Sequence, residues 1–218
     1  MSLDLFGHPF SSYTQKVLIA LWADETPFEY RPVGPDHPDN GAILQRHSPF
    51  GQFPLLLDGN RPVFESTCII EHLQAHHPGP NRWIPDGEAG RRTRFLDRFF
   101  DLHVMSNMQV PVGDKLRPEG AQDAYGVARS RERLHIAYDW LEANLGEGPW
   151  AVGDAFTLAD CAAAPSLFYA DWVEEIGPTR PKLAAYRTRL LAHPGVARAV
   201  DEGRPYRSFF PLGAPDRD

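Results

Sequence analysis

Cysteine is scarce in this chain of 218 residues, which holds only Cys68 and Cys161. Two thiols are too few for a disulfide-built secreted scaffold of this length, so a reducing, cytoplasmic setting is expected. Basic residues are also in the minority: 22 Lys and Arg face 29 Asp and Glu, a formal net charge of −7. That balance is poorly suited to neutralising phosphates, and no nucleic-acid partner is expected. No apolar run approaches the roughly 20 residues that span a bilayer. The stretch Met1-Ser2-Leu3-Asp4-Leu5 has no basic segment ahead of an apolar one, so neither a secretory leader nor a membrane partner is expected. No metal is expected either: His76 and His77 are sequence neighbours, and neighbours on a helix diverge. A G-x-S-x-G elbow is absent, which argues against a hydrolase.

What is present is ordinary for a globular protein: 42% hydrophobic and 23% charged residues, enough to build one large domain or two modest ones. Leu3 to Phe6 is a short apolar strand, followed by a helical spacing of Thr14, Val17, Leu18 and Leu21. Phe28 to Val33 reads as a second strand that Pro32 ends or puts on an edge. A strand-helix-strand unit of this kind carries a parallel pair. Residues 34–41 read as a loop, with a short helix over Ile43 to His47. Phe53 to Leu57 and Pro62 to Phe64 flank Asp58-Gly59-Asn60, a hairpin signal for an antiparallel pair. Glu65 to His76 is a helix with Ile69, Ile70 and Leu73 on its apolar face, stopped by Pro78-Gly79-Pro80. The order is β-α-β-(α)-β-β-α. After a linker anchored by Trp83, the pattern turns wholly helical. One long helix is marked by Phe95 to Val104 and another by Leu134 to Leu145. A third spans Leu158 to Trp172, and shorter ones cover 183–191 and 196–200. This predicts an α/β domain over residues 1–80 and an all-α domain over 86–218.

Three segments can carry chemistry. Pro54 opens an apolar strand, where a proline marks either an ordinary start or a special turn with a cis bond. Glu65-Ser66-Thr67 stands at a strand-to-helix junction. It can serve only as a cap, or its helix-start N–H groups can bind a carboxylate while Glu65 meets an ammonium. Pro9-Phe10-Ser11-Ser12-Tyr13 places hydroxyls at another helix start, as caps or as partners of an anion. A fourth segment is structural. Thr157 and Asp160 have the spacing of a capping box, with Phe156 and Cys161 at the staple positions.

Four stretches in this order resemble the cytosolic glutathione S-transferase superfamily, in its serine-type, bacterial-like form, over essentially the whole chain. They are Phe10 to Val17, Ser48 to Pro54, Glu65-Ser66, and Gly153 to Asp160. The resemblance implies a thioredoxin-like N-terminal domain plus an all-α C-terminal helical domain, glutathione as co-substrate, and a hydrophobic electrophilic small molecule as its partner. It also implies a homodimer. By position, Pro54 matches the cis-proline, Phe53 the backbone contact to the cysteine portion, and Gln52 a further contact. Glu65 and Ser66 match the γ-glutamyl pair. Ser11 matches the thiol-activating hydroxyl, with Ser12 the alternative and Tyr13 a third contender. Phe10, Phe100, His103, Val104, Asn107, Phe168 and Trp172 are the acceptor-pocket set, about half of them expected in the core. His37, Asn40 and Gln45 are contenders for the glycine carboxylate. Cys68 and Cys161 read as buried small residues. The alternative function is a catalytically weak ligand-binding or regulatory protein of the same fold.

Overall fold

The computed structural model describes residues 2–218. Strand β1 (Leu3–Gly7) lies at the middle of a four-stranded sheet, between β2 (Glu29–Pro32) and β3 (Leu55–Asp58), with β4 (Arg61–Phe64) outermost. The β1–β2 pair is parallel, while β1–β3 and β3–β4 are antiparallel, as the spacing and the Asp-Gly turn predict. Leu5 stands opposite Tyr30 on one side and Leu56 on the other. Leu5, Leu55 and Leu56 are fully buried.

Helix α1 (Ser12–Ala23) is buried over most of its length, because it lies between the sheet and the helical domain. Helix α2 (Pro38–His47) starts earlier than expected and takes up the second half of the 34–41 segment. Pro38 explains the shift: proline is well suited to the first turn of a helix, where its missing N–H costs nothing. Helix α3 (Ser66–His76) follows the hairpin. Trp83 is fully buried in the linker, and its indole N–H donates to Asp24 Oδ2 at the end of α1 over 2.8 Å.

The helical domain corrects one expectation. The long helix marked by Phe95 to Val104 is three segments: α4 (Gly87–Phe99), a π-helical turn (Phe100–Met105) and α5 (Ser106–Lys115). Then come α6 (Ala124–Asn144), α7 (Leu158–Val173), α8 (Pro181–Ala192), α9 (Pro194–Gly203) and a 3₁₀ turn over Arg204–Phe209. Every residue of α7 is buried, so this helix is the axis of the domain. The capping box at its start is present, and Asp160 does more than cap. Its carboxylate accepts from the N–H groups of Ala151 and Thr157 (2.8 Å each) and from the hydroxyls of Thr157 (3.0 Å) and Tyr186 (2.7 Å). Four donors offset the cost of burying that carboxylate.

A buried ion cluster joins the two domains. Lys16 on α1 is 1% exposed, and its ammonium lies 2.6 Å from Asp97 Oδ1 and 2.8 Å from Asp101 Oδ2. It also donates to Thr67 Oγ1 over 2.9 Å, and the Thr67 hydroxyl donates on to Asp97. Burial alone would lower the Lys16 pKa, but the Asp101 and Asp97 carboxylates outweigh it and hold the ammonium above its usual range. Removing one side of such a cluster strands the other. Lys16→Met is therefore expected to cost about 3–5 kcal/mol of unfolding free energy, read from urea denaturation. An unchanged midpoint would show that the cluster does not hold the domains together.

Candidate functional site

Two adjoining spaces lie where the sheet ends meet α4 and α5. The first is a cleft of about 460 Å³ that collects Gln52, Phe53, Pro54, Glu65 and Ser66 from the α/β domain, with Asp101 and Tyr13 on its other side. All five residues expected to hold glutathione are thus brought to one place. The Phe53–Pro54 bond is cis. The Gln52 N–H donates to the hydroxyl of buried Ser48 over 3.2 Å, which fixes the turn entering β3.

Helix α3 begins at Ser66 with no side chain capping it. Its first-turn N–H groups and the positive end of its dipole are therefore presented to the cleft, where they suit an anion. Glu65 precedes them at φ 69° and ψ 117°, a backbone state that side-chain-bearing residues rarely adopt. Such strain costs on the order of 1–3 kcal/mol and collects at functional sites. Thr67, next along, belongs to the Lys16 cluster, so the ion network that joins the domains also braces this helix start.

The second space, about 360 Å³, is lined by Phe10, Ser11, Ser12, Tyr169 and Phe210, with Met108 and Val112 of α5, Leu116 just after it, and again Tyr13. Ser11 and Ser12 border this space and not the first; Tyr13 borders both. Ser11 is the N-cap of α1, its Oγ accepting the Thr14 N–H over 3.3 Å. The turn before it is pinned: Gln15 donates to the Pro9 carbonyl (2.9 Å), Tyr169 to the Phe10 carbonyl (3.0 Å), and the Phe10 N–H to His8 Nδ1 (3.1 Å). Burial lowers the His8 pKa, in keeping with a neutral ring that accepts that bond. Burial, with the Asp101 and Glu65 carboxylates close by, pushes the Tyr13 phenol up to about 12, so it stays a neutral donor at physiological pH.

The rest of the expected acceptor set is redistributed. Phe100 and Val104 are fully buried in the core, as is Phe168 at 3% exposure. Trp172 packs behind Phe10, with ring centres 6.2 Å apart, as backing to the wall. His103 and Asn107 face a separate trough between α4, α5 and α6. Phe10 alone of that set lines the space beside Ser11. The residues missed, Met108, Val112 and Leu116, repeat every fourth position beyond Val104, a signal present in the sequence. Phe209 and Phe210 arrive on the returning C-terminal segment and carry no periodic signal.

Of the contenders for the glycine carboxylate, Asn40 is engaged by the Pro32 carbonyl (2.8 Å), and His37 and Gln45 are exposed. None of the three borders either space. Cys161 is buried as expected. Cys68 is not: it is exposed and borders the cleft, because Ile69, Ile70 and Leu73 take the core face of α3 and turn Cys68 away from it.

The strained residue gives a test of how stability and binding divide. Glu65→Gly removes the penalty at positive φ. It is expected to melt no lower than the wild type and, if Glu65 meets the ammonium of a γ-glutamyl ligand, to lose at least about tenfold in glutathione affinity, the loss of one charge-assisted contact. Scanning calorimetry and glutathione titration read the two effects; a lower melting point with unchanged affinity would contradict the assignment.

Comparison with known proteins matches this geometry. Residues 5–81 fit the family model for the glutathione S-transferase N-terminal domain and residues 124–193 that for the C-terminal domain. A probable maleylacetoacetate isomerase of Vibrio cholerae is 30% identical, over 94% of this chain and 98% of the relative. Glutathione S-transferase 3 of Zea mays is also 30% identical, over 87% of this chain and 86% of its own. Among solved structures, a glutathione S-transferase of Methylobacterium radiotolerans in complex with glutathione sulfonate superposes with a TM-score of 0.78 at 29% identity, over 92% of this chain and 95% of that one. The chain belongs to the cytosolic glutathione S-transferase superfamily.

Proposed function

We propose that the protein is a glutathione transferase that converts the glutathione thiol to a thiolate and directs it at a hydrophobic electrophilic small molecule. The observation that carries this reading is the adjacency of a polar cleft and an apolar space on either side of the α1 N-terminus. In the cleft, Glu65 suits the γ-glutamyl ammonium, while Ser66 and the uncapped start of α3 suit its carboxylate. Phe53 offers backbone groups to the cysteinyl portion, beside Gln52 and Pro54. The thiol then reaches the junction, where Ser11 and Tyr13 stand, and the apolar space beyond receives the acceptor.

The energetics are adequate. A free thiol has a pKa near 8.5, so only about 3% is ionised at neutral pH. Lowering that value by about two units takes roughly 2.7 kcal/mol. One charge-assisted hydrogen bond supplies about 1.5–3 kcal/mol. Ser11 is suited to it: its oxygen accepts the Thr14 N–H, which leaves its own proton for the thiolate, at the positive end of α1. Glutathione-dependent isomerisation uses the same thiolate, and the 30% identical Vibrio cholerae relative, named a probable maleylacetoacetate isomerase, favours including it in any substrate panel.

A dimer of this chain is part of the proposal. Phe50 beside the cleft is 76% exposed, and Leu102 and Ile136 on the trough between α4, α5 and α6 are 52% and 66% exposed. Apolar surface of this extent favours burial against a second copy. Among the described residues no helix is long and apolar enough to cross a membrane, and the scarcity of cysteine supports a cytoplasmic site of action.

Ser11→Ala is expected to lower kcat/KM toward an activated aryl halide roughly 25-fold at neutral pH, the ratio of ionised fractions for a two-unit shift. Its pH–rate inflection should rise toward 8.5, with glutathione retention intact. Wild-type turnover in Ser11→Ala together with loss in Tyr13→Phe would transfer the role to Tyr13, the residue that borders both spaces. For the assembly, light scattering is expected to give twice the chain mass at micromolar concentration; monomer alone would refute the dimer.

A further inference from the structure

A second cluster of chemistry-bearing side chains lies at the other end of α3. Asp58 closes β3 where the hairpin turns, opposite Leu3 of β1 and Arg61 of β4. His72 lies on α3, buried at 7% exposure, and His77 is the residue that ends the helix. Both imidazoles aim Nε2 at the same carboxylate oxygen, His72 at 3.0 Å and His77 at 2.8 Å from Asp58 Oδ2. The three donor atoms lie within 4.8 Å of one another.

The divergence of His76 and His77 argues against a metal, but the histidines that converge are His72 and His77. On a continuous helix, residues five apart also point about 140° away from each other. His77 escapes this because it has left the helix: its φ of −135° and ψ of 54° let the side chain swing back beside His72. The tight Pro-Gly-Pro stop just beyond it thus creates a convergence that helical spacing alone would forbid.

We infer that Asp58, His72 and His77 form a binding site for a divalent transition metal of the zinc type. Two imidazole nitrogens and one carboxylate oxygen suit zinc, nickel or copper over magnesium or calcium, which prefer all-oxygen shells. Three protein ligands leave a fourth position for water. With metal–ligand bonds of about 2.0–2.2 Å, tetrahedral neighbours stand roughly 3.4 Å apart, farther than the 3.0 and 2.8 Å between each Nε2 and Asp58 Oδ2, so an entering metal displaces the carboxylate oxygen from its two hydrogen bonds and takes its place between the rings. A second observation points the same way. Asp58 Oδ1 is buried and has no hydrogen-bond partner among the described residues. A lone carboxylate oxygen in that state is costly, and a bound cation or its water would engage it.

The site stands about 9 Å (His72) to 16 Å (His77) along α3 from Ser66, and none of its three residues borders the cleft, so it takes no part in thiol chemistry. Its role is structural: it fastens the hairpin, which comes after Pro54, to the helix that begins at Ser66.

The test uses the full chain after chelator treatment, titrated with zinc chloride by calorimetry and with cobalt(II) by visible absorption. One zinc ion per chain, strong ligand-field bands from four-coordinate cobalt, and a melting point raised by about 5–10 °C at a hundredfold excess over Kd are the expected results, with magnesium inert. His72→Asn and His77→Asn are each expected to weaken zinc at least about tenfold. His77, more exposed at the helix end, decides the matter if the His72 variant fails to fold. Zinc affinity unchanged in His77→Asn, or no saturable zinc binding in the wild type, would overturn the assignment and leave a hydrogen-bonded His-Asp-His staple.

Discussion

One buried ammonium organises this molecule. Lys16 sits on the α/β-domain helix that packs against the helical domain, and it can remain charged only because carboxylates from α4 and the π-helical turn close around it. That requirement fixes the helical domain against the sheet. Through Thr67 it also fixes the first turn of α3, the place where an anionic headgroup would dock. Domain docking and ligand docking therefore share one electrostatic arrangement. Apolar packing of α1 against α7 supplies bulk attraction, but it is non-directional. The ion cluster gives the direction.

The site is built on rigid parts. Its polar groups come from two helix starts and from the turn between α2 and β3, which the Ser48 hydroxyl pins. Ser11 and Ser66 each open a helix, so each adds a dipole end to a hydroxyl. The turn ahead of Ser11 is held by Gln15 and Tyr169 from two different helices. Glu65 shows the cost of this precision, since its backbone is kept in an unfavourable state by the strand behind it and the helix in front. A side chain so placed is aimed by the fold before any ligand arrives.

Much of this is legible in the sequence, and the exceptions share a cause. Short-range patterns encode the hairpin and the capping box of α7, because each depends on residues close in sequence, and a strand-helix-strand unit encodes the parallel pair; Trp83 shows only as an aromatic in a linker, since its partner Asp24 lies 59 positions away. The Glu65-Ser66 and Gln52 to Pro54 groups meet as expected because the hairpin between them allows little else. The wall of the apolar space beside Ser11 is far less readable. Phe100 and Val104 are eligible by spacing, but the π-helical turn breaks the register that would assign them a face. Phe210 reaches the site by tertiary return of the chain, which no local pattern encodes. The pairing of His72 with His77 is hidden for a related reason: it depends on where a helix stops.

The π-helical turn has one more implication. A wide turn holds an extra residue compared with the α repeat. Each residue added to or removed from a helix rotates the downstream part by about 100°. Met108, Val112 and Leu116 all lie downstream of Phe100–Met105, on the wall facing Ser11. A single-codon deletion in that turn would swing this wall away while Lys16 still grips Asp97 upstream. The shape of the apolar space beside Ser11 can therefore change through the length of one turn, without any substitution among the residues that line it.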